Sequence, residues 1–349
     1  MQPGHDHYPL RAGAVIRLVS WNLNRLAPDQ VARVGAALSH IRQLFDQDSD
    51  PLVVMFQELS TSSKLHVLGD EWVRQNFFAS FGGREGTHLI RPEGEAASWQ
   101  LPSSSCVTLV SRRLRRPVST RVQFGTGCDS RLGKGVLVTD VRINAAWDAP
   151  FLRLCNTHLT SERGKASVRR RQLADISSLL KGKALPLTLG GIIAGVVGGD
   201  LNIVEDKHRY CRDPDVDLND AWDGTPGGGD TWGHQSGKNR VHHRLDRFLY
   251  TGSTEPLMGN TGTVELVGKG LKTECVAWEL QRSNPSLPRR FISDTMHAGF
   301  SERAKEGSTG LDPTINALFA RSYSLPAVRA TTEEFVSDHY GITVRMRLL

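Results

Sequence analysis

Hydrophobic and polar positions along this chain predict most of its secondary structure. Residues 15–21 alternate between apolar and polar side chains, which is typical of a strand with one buried face. Residues 51–56 are apolar throughout, as expected for a strand that is covered on both faces. Further strands are predicted at 106–110, 118–124, 136–143, 151–157, 192–197, 247–250 and 342–346.

Two segments carry the spacing of an amphipathic helix. The first follows Pro28 and Asp29, which both suit a first helical turn, and its apolar face continues to Leu44. The second covers 165–180, with arginines on the side opposite its apolar residues. Strands outnumber helices and do not alternate strictly with them, so the pattern predicts a layered α/β sandwich.

The predicted domain organisation is a polar N-terminal tail at 1–14 followed by one domain at 15–349. A prior of ~150 residues per domain would allow two, but layered α/β enzymes of this length often form one. The stretch 251–335 mixes Gly, Ser and Pro with weak periodicity. We interpret its middle, about 256–333, as an insertion that carries little of the chemistry.

Composition and charge narrow the class of protein. With 39% hydrophobic and 23% charged residues, the chain is globular rather than fibrous or disordered. Its net charge of +6 permits an anionic partner such as nucleic acid without establishing one. Five cysteines without a CxxC pair argue against a disulfide framework or a zinc cluster and for a reducing compartment. No secretory leader or membrane-spanning stretch is evident, so we expect an intracellular protein that is not bound to a membrane.

Polar side chains suited to acid–base or metal chemistry lie at the ends of the predicted strands six times. They are Asn22 with Asn24, Glu58, His158, Asp200 with Asn202, Asp246, and Asp338 with His339. Each motif alone is explained by a turn, a helix cap or a core histidine. Together they predict a site, because strand ends hold side chains rigidly and converging carboxylates repel one another unless a hard cation lies among them. The oxygen-rich set favours Mg²⁺ or Mn²⁺.

This ordered set resembles the motif series of the endonuclease/exonuclease/phosphatase superfamily, the DNase I-like metal phosphohydrolases. The matching motifs extend from about Val15 to Met346 and are Trp21-Asn22, Gln57-Glu58, Asn156-Thr-His-Leu159, Gly199-Asp-Leu-Asn202, Asp246 before an aromatic strand, and Ser337-Asp-His339. The resemblance implies a four-layered α/β sandwich, with two packed mixed β-sheets flanked by helices, and Mg²⁺-dependent hydrolysis of phosphoesters.

Three stretches resemble the tyrosyl-DNA phosphodiesterase 2 family more narrowly. They are 156–164 with the arginine-rich helix after it, Asp230-Thr-Trp232 with 243–248, and 337–342. Departures are Asn24, where that family usually has Asp, Val204, where it has Arg, and the longer stretch 251–335. This resemblance implies cleavage of 5′-tyrosyl adducts at DNA ends, in DNA repair, in the nucleus or cytoplasm. We expect the chain to act as a monomer.

By the same resemblance, Glu58 would anchor the metal, assisted by Asn22 or Asn24. Asp200 would orient and deprotonate the attacking water, and Asn202 would bond a phosphate oxygen.

The remaining residues would surround the phosphate. His339 would donate to a non-bridging oxygen, and Asp338 would fix that imidazole or reach the metal through water. His158 would form the opposite wall, and Asp246 would orient a histidine. The assigned substrate contacts are Trp232, by stacking on a terminal base, and Arg247.

Alternative functions share the same motifs. An abasic-site endonuclease, a deadenylase-like nuclease and an inositol or lipid phosphatase would use the same metal centre with a different rim. A catalytically silent nucleic-acid-binding scaffold is disfavoured, because Glu58, Asp200, Asn202 and His339 are all present.

Overall fold

The computed structural model describes Tyr8 and residues 10–80, 106–124, 134–183, 191–204, 213–224, 229–235, 241–282, 291–292 and 323–349. The helices are α1 (Gln30–Phe45), α2 (Thr61–Gly69), α3 (Glu71–Asn76) and α4 (Ala166–Leu180). The first eight strands are β1 (Val15–Asn22), β2 (Leu52–Gln57), β3 (Phe77–Ser80), β4 (Val107–Ser111), β5 (Val118–Gln123), β6 (Gly135–Arg142), β7 (Phe151–His158) and β8 (Ile192–Asp200). The others are β9 (Asn219–Asp220), β10 (Asp246–Tyr250), β11 (Thr254–Leu257), β12 (Val264–Val267), β13 (Lys272–Arg282), β14 (Phe291–Ile292), β15 (Tyr323–Phe335) and β16 (Gly341–Leu348).

Two mixed sheets form the centre of the molecule. The seven-stranded sheet has the order β11-β16-β1-β2-β4-β3, with β12 also paired to β16, and the six-stranded sheet has the order β5-β6-β7-β8-β10-β9. Apolar side chains from both sheets pack together between them, including Leu18, Met55, Leu154, Val196 and Phe248. Burying each such side chain is worth roughly 1.5–3 kcal/mol. The two sheets are therefore held face to face by one apolar layer.

Helices cover the outer faces. Helix α1 packs Val34, Leu38 and Ile41 against the seven-stranded sheet, and α4 packs Leu173 and Ile176 against the six-stranded one. Because β2 lies between α1 and the second sheet, it is buried on both sides, which explains its continuous apolar sequence. The four-layered α/β sandwich that the resemblance implied is confirmed.

A third sheet arises from the stretch that we interpreted as an insertion. Its order is β14-β13-β15, and β13 packs against α1. The side chain of Asp29 links the two, because it caps α1 at the backbone N–H of Ala32 and also accepts from the N–H of Val276 on β13.

The boundaries of the tail and insertion differ from the expectation. Leu10 is buried in the layer between the sheets, so the described end of the tail is part of the core. Strands β11 and β12 belong to the seven-stranded sheet, although they lie at the start of the expected insertion. Residues 1–7, 9, 283–290 and 293–322 lie outside the described residues, and the single-domain organisation stays a prediction. None of the described helices is long and apolar enough to cross a membrane.

Candidate active site

Strand directions bring the predicted motifs of the seven-stranded sheet to one edge. Strands β1 and β2 are parallel, with Asn22 paired to Gln57 in the register, so Asn22 and Glu58 leave the sheet side by side. Strand β16 is antiparallel to β1 and begins at Gly341. Asp338 and His339 immediately precede it and therefore reach the same edge.

The six-stranded sheet contributes its motifs at the matching edge. Strands β7 and β8 are parallel, with His158 paired to Asp200. Strand β10 is antiparallel to β8 and begins at Asp246, which also pairs with Asp200. Both sheets therefore present their polar strand ends to one region of the sandwich.

Asp200 lies at the centre of this region. Its Oδ2 accepts a hydrogen bond from Asn22 Nδ2 at 2.9 Å and lies 3.6 Å from His158 Nε2 and 3.9 Å from His339 Nε2. Its Oδ1 accepts from the backbone N–H of Asn202 at 2.9 Å. The side chain is only 3% exposed, so solvent screens these interactions little. One carboxylate thus joins motifs from four strand ends.

Glu58 lies beside this centre and is more open to solvent. Its Oε1 accepts from Asn22 Nδ2 at 3.3 Å and lies 3.5 Å from His158 Nδ1. Its Oε2 accepts from the backbone N–H of Arg25 at 3.1 Å. The side chain is 22% exposed, in contrast to 3% for Asp200. Of these two carboxylates, Glu58 is the one that a hydrated cation could reach.

His339 forms a buried ion pair with Asp246. The distance from its Nδ1 to Asp246 Oδ2 is 2.8 Å, and the Asp246 side chain is fully buried. Burial alone would lower the pKa of His339, but the negative charges of Asp246, Asp200 and Asp338 outweigh burial and raise its pKa to about 10. His339 is therefore an imidazolium at neutral pH.

His158 is the opposite case. Burial lowers the pKa of His158 to about 3, and the nearby charge of Asp200 offsets this only in part. The site therefore holds one neutral and one charged histidine, whose Nε2 atoms lie 3.6 Å and 3.9 Å from Asp200 Oδ2.

The backbone is strained at three site residues. Asn24, Glu58 and Asn202 all have left-handed φ angles, of 49°, 59° and 51°. Non-glycine residues adopt this region rarely, and such strain persists only where the surroundings enforce it. Here the enforcing bonds run from the N–H of Asn24 to Asn22 Oδ1 and from the N–H of Asn202 to Asp200. Three residues of the strand-end motifs therefore share this rare backbone conformation.

Trp232 lies at the border of the site rather than in the core. Its indole Nε1–H donates to Asp338 Oδ2 at 3.2 Å, and its backbone forms a bridge with His339. The half-buried ring stacks on His243 with 6.0 Å between centroids and 15° between planes. Asp338 Oδ1 is buried and, among the described residues, has no hydrogen-bond partner. Trp232 and Asp338 are thus assembled with the catalytic candidates.

Two of the predicted residues, Asn24 and Arg247, make contacts outside the group around Asp200, and their roles stay predictions. Asn24 turns its amide oxygen to the N–H of Leu26 in its own loop, so Asn22 is the amide that contacts Glu58. Arg247 is 2% exposed, donates to the carbonyl of Ile203 and lies 3.6 Å from Asp220 Oδ2. Because side chains alternate along a strand, Arg247 points to the side of the sheet opposite to Asp246.

Lys134 was missed by the sequence analysis. It is half-buried just before β6, and the negative charges of Asp200 and Glu58 act on it. Burial lowers the pKa of Lys134, although these carboxylates oppose the shift. A single lysine between glycines carries no sequence signal of its own, so only the fold reveals it.

A buried polar network links the two sheets next to the site. Gln57 Nε2 donates to Asn156 Oδ1 at 2.9 Å, and Asn156 Nδ2 donates to the Val107 carbonyl at 2.9 Å. Gln57 and Asn156 are fully buried and come from different sheets, one residue before Glu58 and two before His158. The network therefore fixes the distance between the two sheets at the site.

The donor chemistry of the site fits a hard divalent cation. In the part of the chain that the structure describes, no group of three or more His, Cys, Asp or Glu side chains is arranged to hold a metal. Mg²⁺, however, often takes one or two carboxylates and keeps several waters. Glu58, partly exposed and flanked by the Asn22 amide, matches that mode of binding.

Comparison with known proteins places these observations in a family. The model of the Endonuclease/Exonuclease/phosphatase family matches residues 19–294, which is most of the chain. The chain therefore belongs to the Endonuclease/Exonuclease/phosphatase family. Members of this family are hydrolases that act on phosphoesters and generally use divalent metals. No curated protein matches the chain.

Several solved structures share the fold of this chain. A humanized D. rerio TDP2 (tyrosyl-DNA phosphodiesterase 2) has a TM-score of 0.55 and 16% identity, and covers 95% of this chain and 99% of its own. D. rerio TDP2 complexed with a single-strand DNA product has a TM-score of 0.52 and 15% identity, over 95% and 99%. Sphingomyelinase C from Streptomyces griseocarneus has a TM-score of 0.50 and 14% identity, over 95% and 99%. At these identities the likeness establishes the fold.

Proposed function

We propose that this protein is a divalent-metal-dependent phosphodiesterase that acts at DNA ends, with 5′-tyrosyl adducts as its substrate. The observation that carries the proposal is the contact set of Asp200, whose carboxylate lies next to Asn22, His158 and His339. The narrower choice of substrate rests on the three TDP2-like sequence stretches and on the likeness to TDP2 structures.

Asp200 serves as the base in this proposal. It orients a water molecule and accepts its proton while the water oxygen attacks phosphorus. The hydrogen bond from Asn22 Nδ2 to Asp200 Oδ2 holds this side chain in place. The side-chain amide of Asn202 donates to the Leu159 carbonyl at 3.2 Å, which fixes its plane beside the phosphate.

The two histidines have different parts in this proposal. The imidazolium of His339 donates from Nε2 to a non-bridging phosphoryl oxygen as negative charge accumulates there. His158, which is neutral, forms the other wall of the phosphate pocket and adds no positive charge beside the metal. A divalent ion held by Glu58 would supply Lewis-acid polarisation of the phosphoryl oxygen.

A tyrosyl leaving group suits a site in which no residue is assigned as general acid. A tyrosyl phenolate has a conjugate acid pKa near ~10, far below that of a sugar hydroxyl, so it departs without a dedicated general acid. Trp232 is placed at the site border, where an aromatic ring could stack on a terminal base for ~1–3 kcal/mol.

The test is release of tyrosine from a 5′-phosphotyrosyl single-stranded oligonucleotide by the full chain in Mg²⁺. We expect turnover that stops with EDTA and is lost in Asp200→Asn. Asp215→Asn is the matched control, because Asp215 is 71% exposed and pairs only at the surface with Arg170. Tyrosine release that survives in Asp200→Asn would contradict the proposed base.

A lipid phosphodiester is the second candidate substrate. It is favoured by the fold shared with a sphingomyelinase and by Val204, an apolar side chain 49% exposed two residues after Asn202. An exposed valine there offers no charge to hold a DNA phosphate. Hydrolysis of sphingomyelin by the same preparation would identify this alternative.

A further inference from the structure

Trp21 has no role in the chemistry described above, although it belongs to the first motif of the site. Its ring is fully buried on β1, one residue before Asn22. Its indole Nε1–H donates to the backbone carbonyl of His339 at 3.1 Å, across 318 positions of sequence. A second donor, Gln235 Nε2, reaches the same carbonyl at 3.3 Å.

The position of the Trp21 ring is fixed by two glycines. A Cβ at Gly341 would lie 2.9 Å from Trp21 Cδ2, and a Cβ at Gly268 would lie 2.4 Å from Trp21 Cη2. Gly268 also has a φ angle of +73°, which disfavours any side chain. The backbones at Gly341 and Gly268 therefore lie directly against the Trp21 ring and leave it little room to move.

The loop that carries His339 is tied to β1 at a second point. Ser337 Oγ donates to the carbonyl of Asn22 at 2.6 Å and accepts from the N–H of His339 at 3.1 Å. The backbone of His339 is thus held on both its N–H and its carbonyl, and both restraints lead to adjacent residues of β1.

We propose that Trp21 is a positioning residue that sets the place of His339 relative to Asn22 and Asp200. The inference rests on the proposed function, since it assumes that His339 stabilises the phosphoryl group. Indole and carbonyl act as a fixed spacer: moving the carbonyl moves the imidazole, which must keep both its 2.8 Å contact with Asp246 and its approach to Asp200. Misplacement of a reacting group by ~1 Å can cost ~10²-fold in rate.

The test is Trp21→Phe, which removes the N–H and keeps an aromatic ring. We expect kcat on a metal-dependent phosphodiester substrate to fall about 10- to 100-fold with little change in KM, because substrate does not touch Trp21. Trp72→Phe is the matched control: Trp72 is also buried, and its indole donates to Asp46 at 2.7 Å, far from the site. The control should lose stability without losing kcat.

A second variant protects the test against misfolding. Replacing Trp21 with 3-benzothienylalanine puts sulfur in place of the indole N–H and preserves the shape of the ring. The ring N–H signal of His339 in NMR reports its contact with Asp246 without any substrate. We expect that signal to shift in both Trp21 variants and not in Trp72→Phe.

The outcomes separate this inference from the proposed function. Unchanged kcat and an unchanged His339 signal in both Trp21 variants would overturn the positioning role. Absence of phosphodiester turnover in the wild type would count against the proposed function, while the NMR comparison would still decide the role of Trp21.

Discussion

Asp246→Asn tests the electrostatic basis of the site. Asparagine keeps the size of the side chain and can still accept a hydrogen bond from His339 Nδ1, but it removes the buried negative charge. Asp246 is the nearest of the three carboxylates that raise the pKa of His339, at 2.8 Å. Once its charge is gone, burial works against the imidazolium with less opposition.

The size of the effect follows from the pKa. A rise of His339 from 6.5 to about 10 corresponds to roughly 5 kcal/mol in favour of the charged form, at 1.36 kcal/mol per unit. Asp200 and Asp338 supply part of it, so we expect the pKa of the variant to fall to about the ordinary histidine value or lower. Loss of one charged donor to the transition state costs about 10²–10³-fold in kcat.

The raised pKa of His339 also predicts how the stability difference between wild type and Asp246→Asn changes with pH. A raised pKa in the folded protein stabilises it fully below the unfolded value of 6.5 and loses that contribution as pH rises toward about 10. Wild type and Asp246→Asn should therefore differ most in free energy of unfolding near pH 6 and converge at alkaline pH. The kcat of the variant should recover partly as pH is lowered, because His339 then becomes protonated.

The assay is kcat against pH together with denaturant unfolding at the same pH values, with Asp215→Asn as control. Equal kcat for wild type and Asp246→Asn at pH 8 would refute the claim that a charged His339 stabilises the transition state. A stability difference that grows with pH would refute the assigned direction of the pKa shift.

Three other predictions concern the metal, the core and the surface. Glu58→Gln should raise the Mg²⁺ concentration needed for half-maximal activity, whereas an unchanged requirement would exclude Glu58 as the metal ligand; titration of activity with Mg²⁺ measures this. Arg153 is buried and donates two hydrogen bonds of 2.7 Å to the Asp140 carboxylate. Asp140→Ala removes this partner and should lower the free energy of unfolding in urea by about 3–5 kcal/mol. A loss below ~1 kcal/mol would contradict this prediction. The pKa of Asp48 is lowered, since hydrogen bonds from the Asp50 N–H and Arg17 outweigh burial. Asp48→Asn should therefore lower stability at pH 7 by up to ~1 kcal/mol and have no effect near pH 2, as thermal melts at both pH values would show.

Much of the fold and of the candidate site could be predicted because both depend on local patterns. A strand buried on both faces, such as β2, is apolar over its whole length, and the polar residue that follows it stands out. Glu58 and Asp200 are conspicuous for this reason. Their convergence follows from parallel strands ending at one edge, which the motif order implied.

The features that were missed depend on contacts distant in sequence. Strands β11 and β12 are short, and both pair with β16, a strand distant in sequence. Arg247 follows Asp246 directly, yet alternation along β10 puts its side chain beside Asp220 and Ile203. Lys134 was not recognised because it belongs to no motif. Trp21 was part of the first motif, but its bond to the His339 carbonyl joins residues 318 positions apart.

The most direct test of the central claim compares two substrates for one enzyme preparation. The measurement is kcat/KM in Mg²⁺ for a 5′-phosphotyrosyl single-stranded oligonucleotide and for sphingomyelin in micelles. The proposed function predicts a preference for the oligonucleotide of about 10²-fold or more, a difference of ~2.7 kcal/mol in transition-state stabilisation. Hydrolysis of sphingomyelin without any release of tyrosine would contradict it.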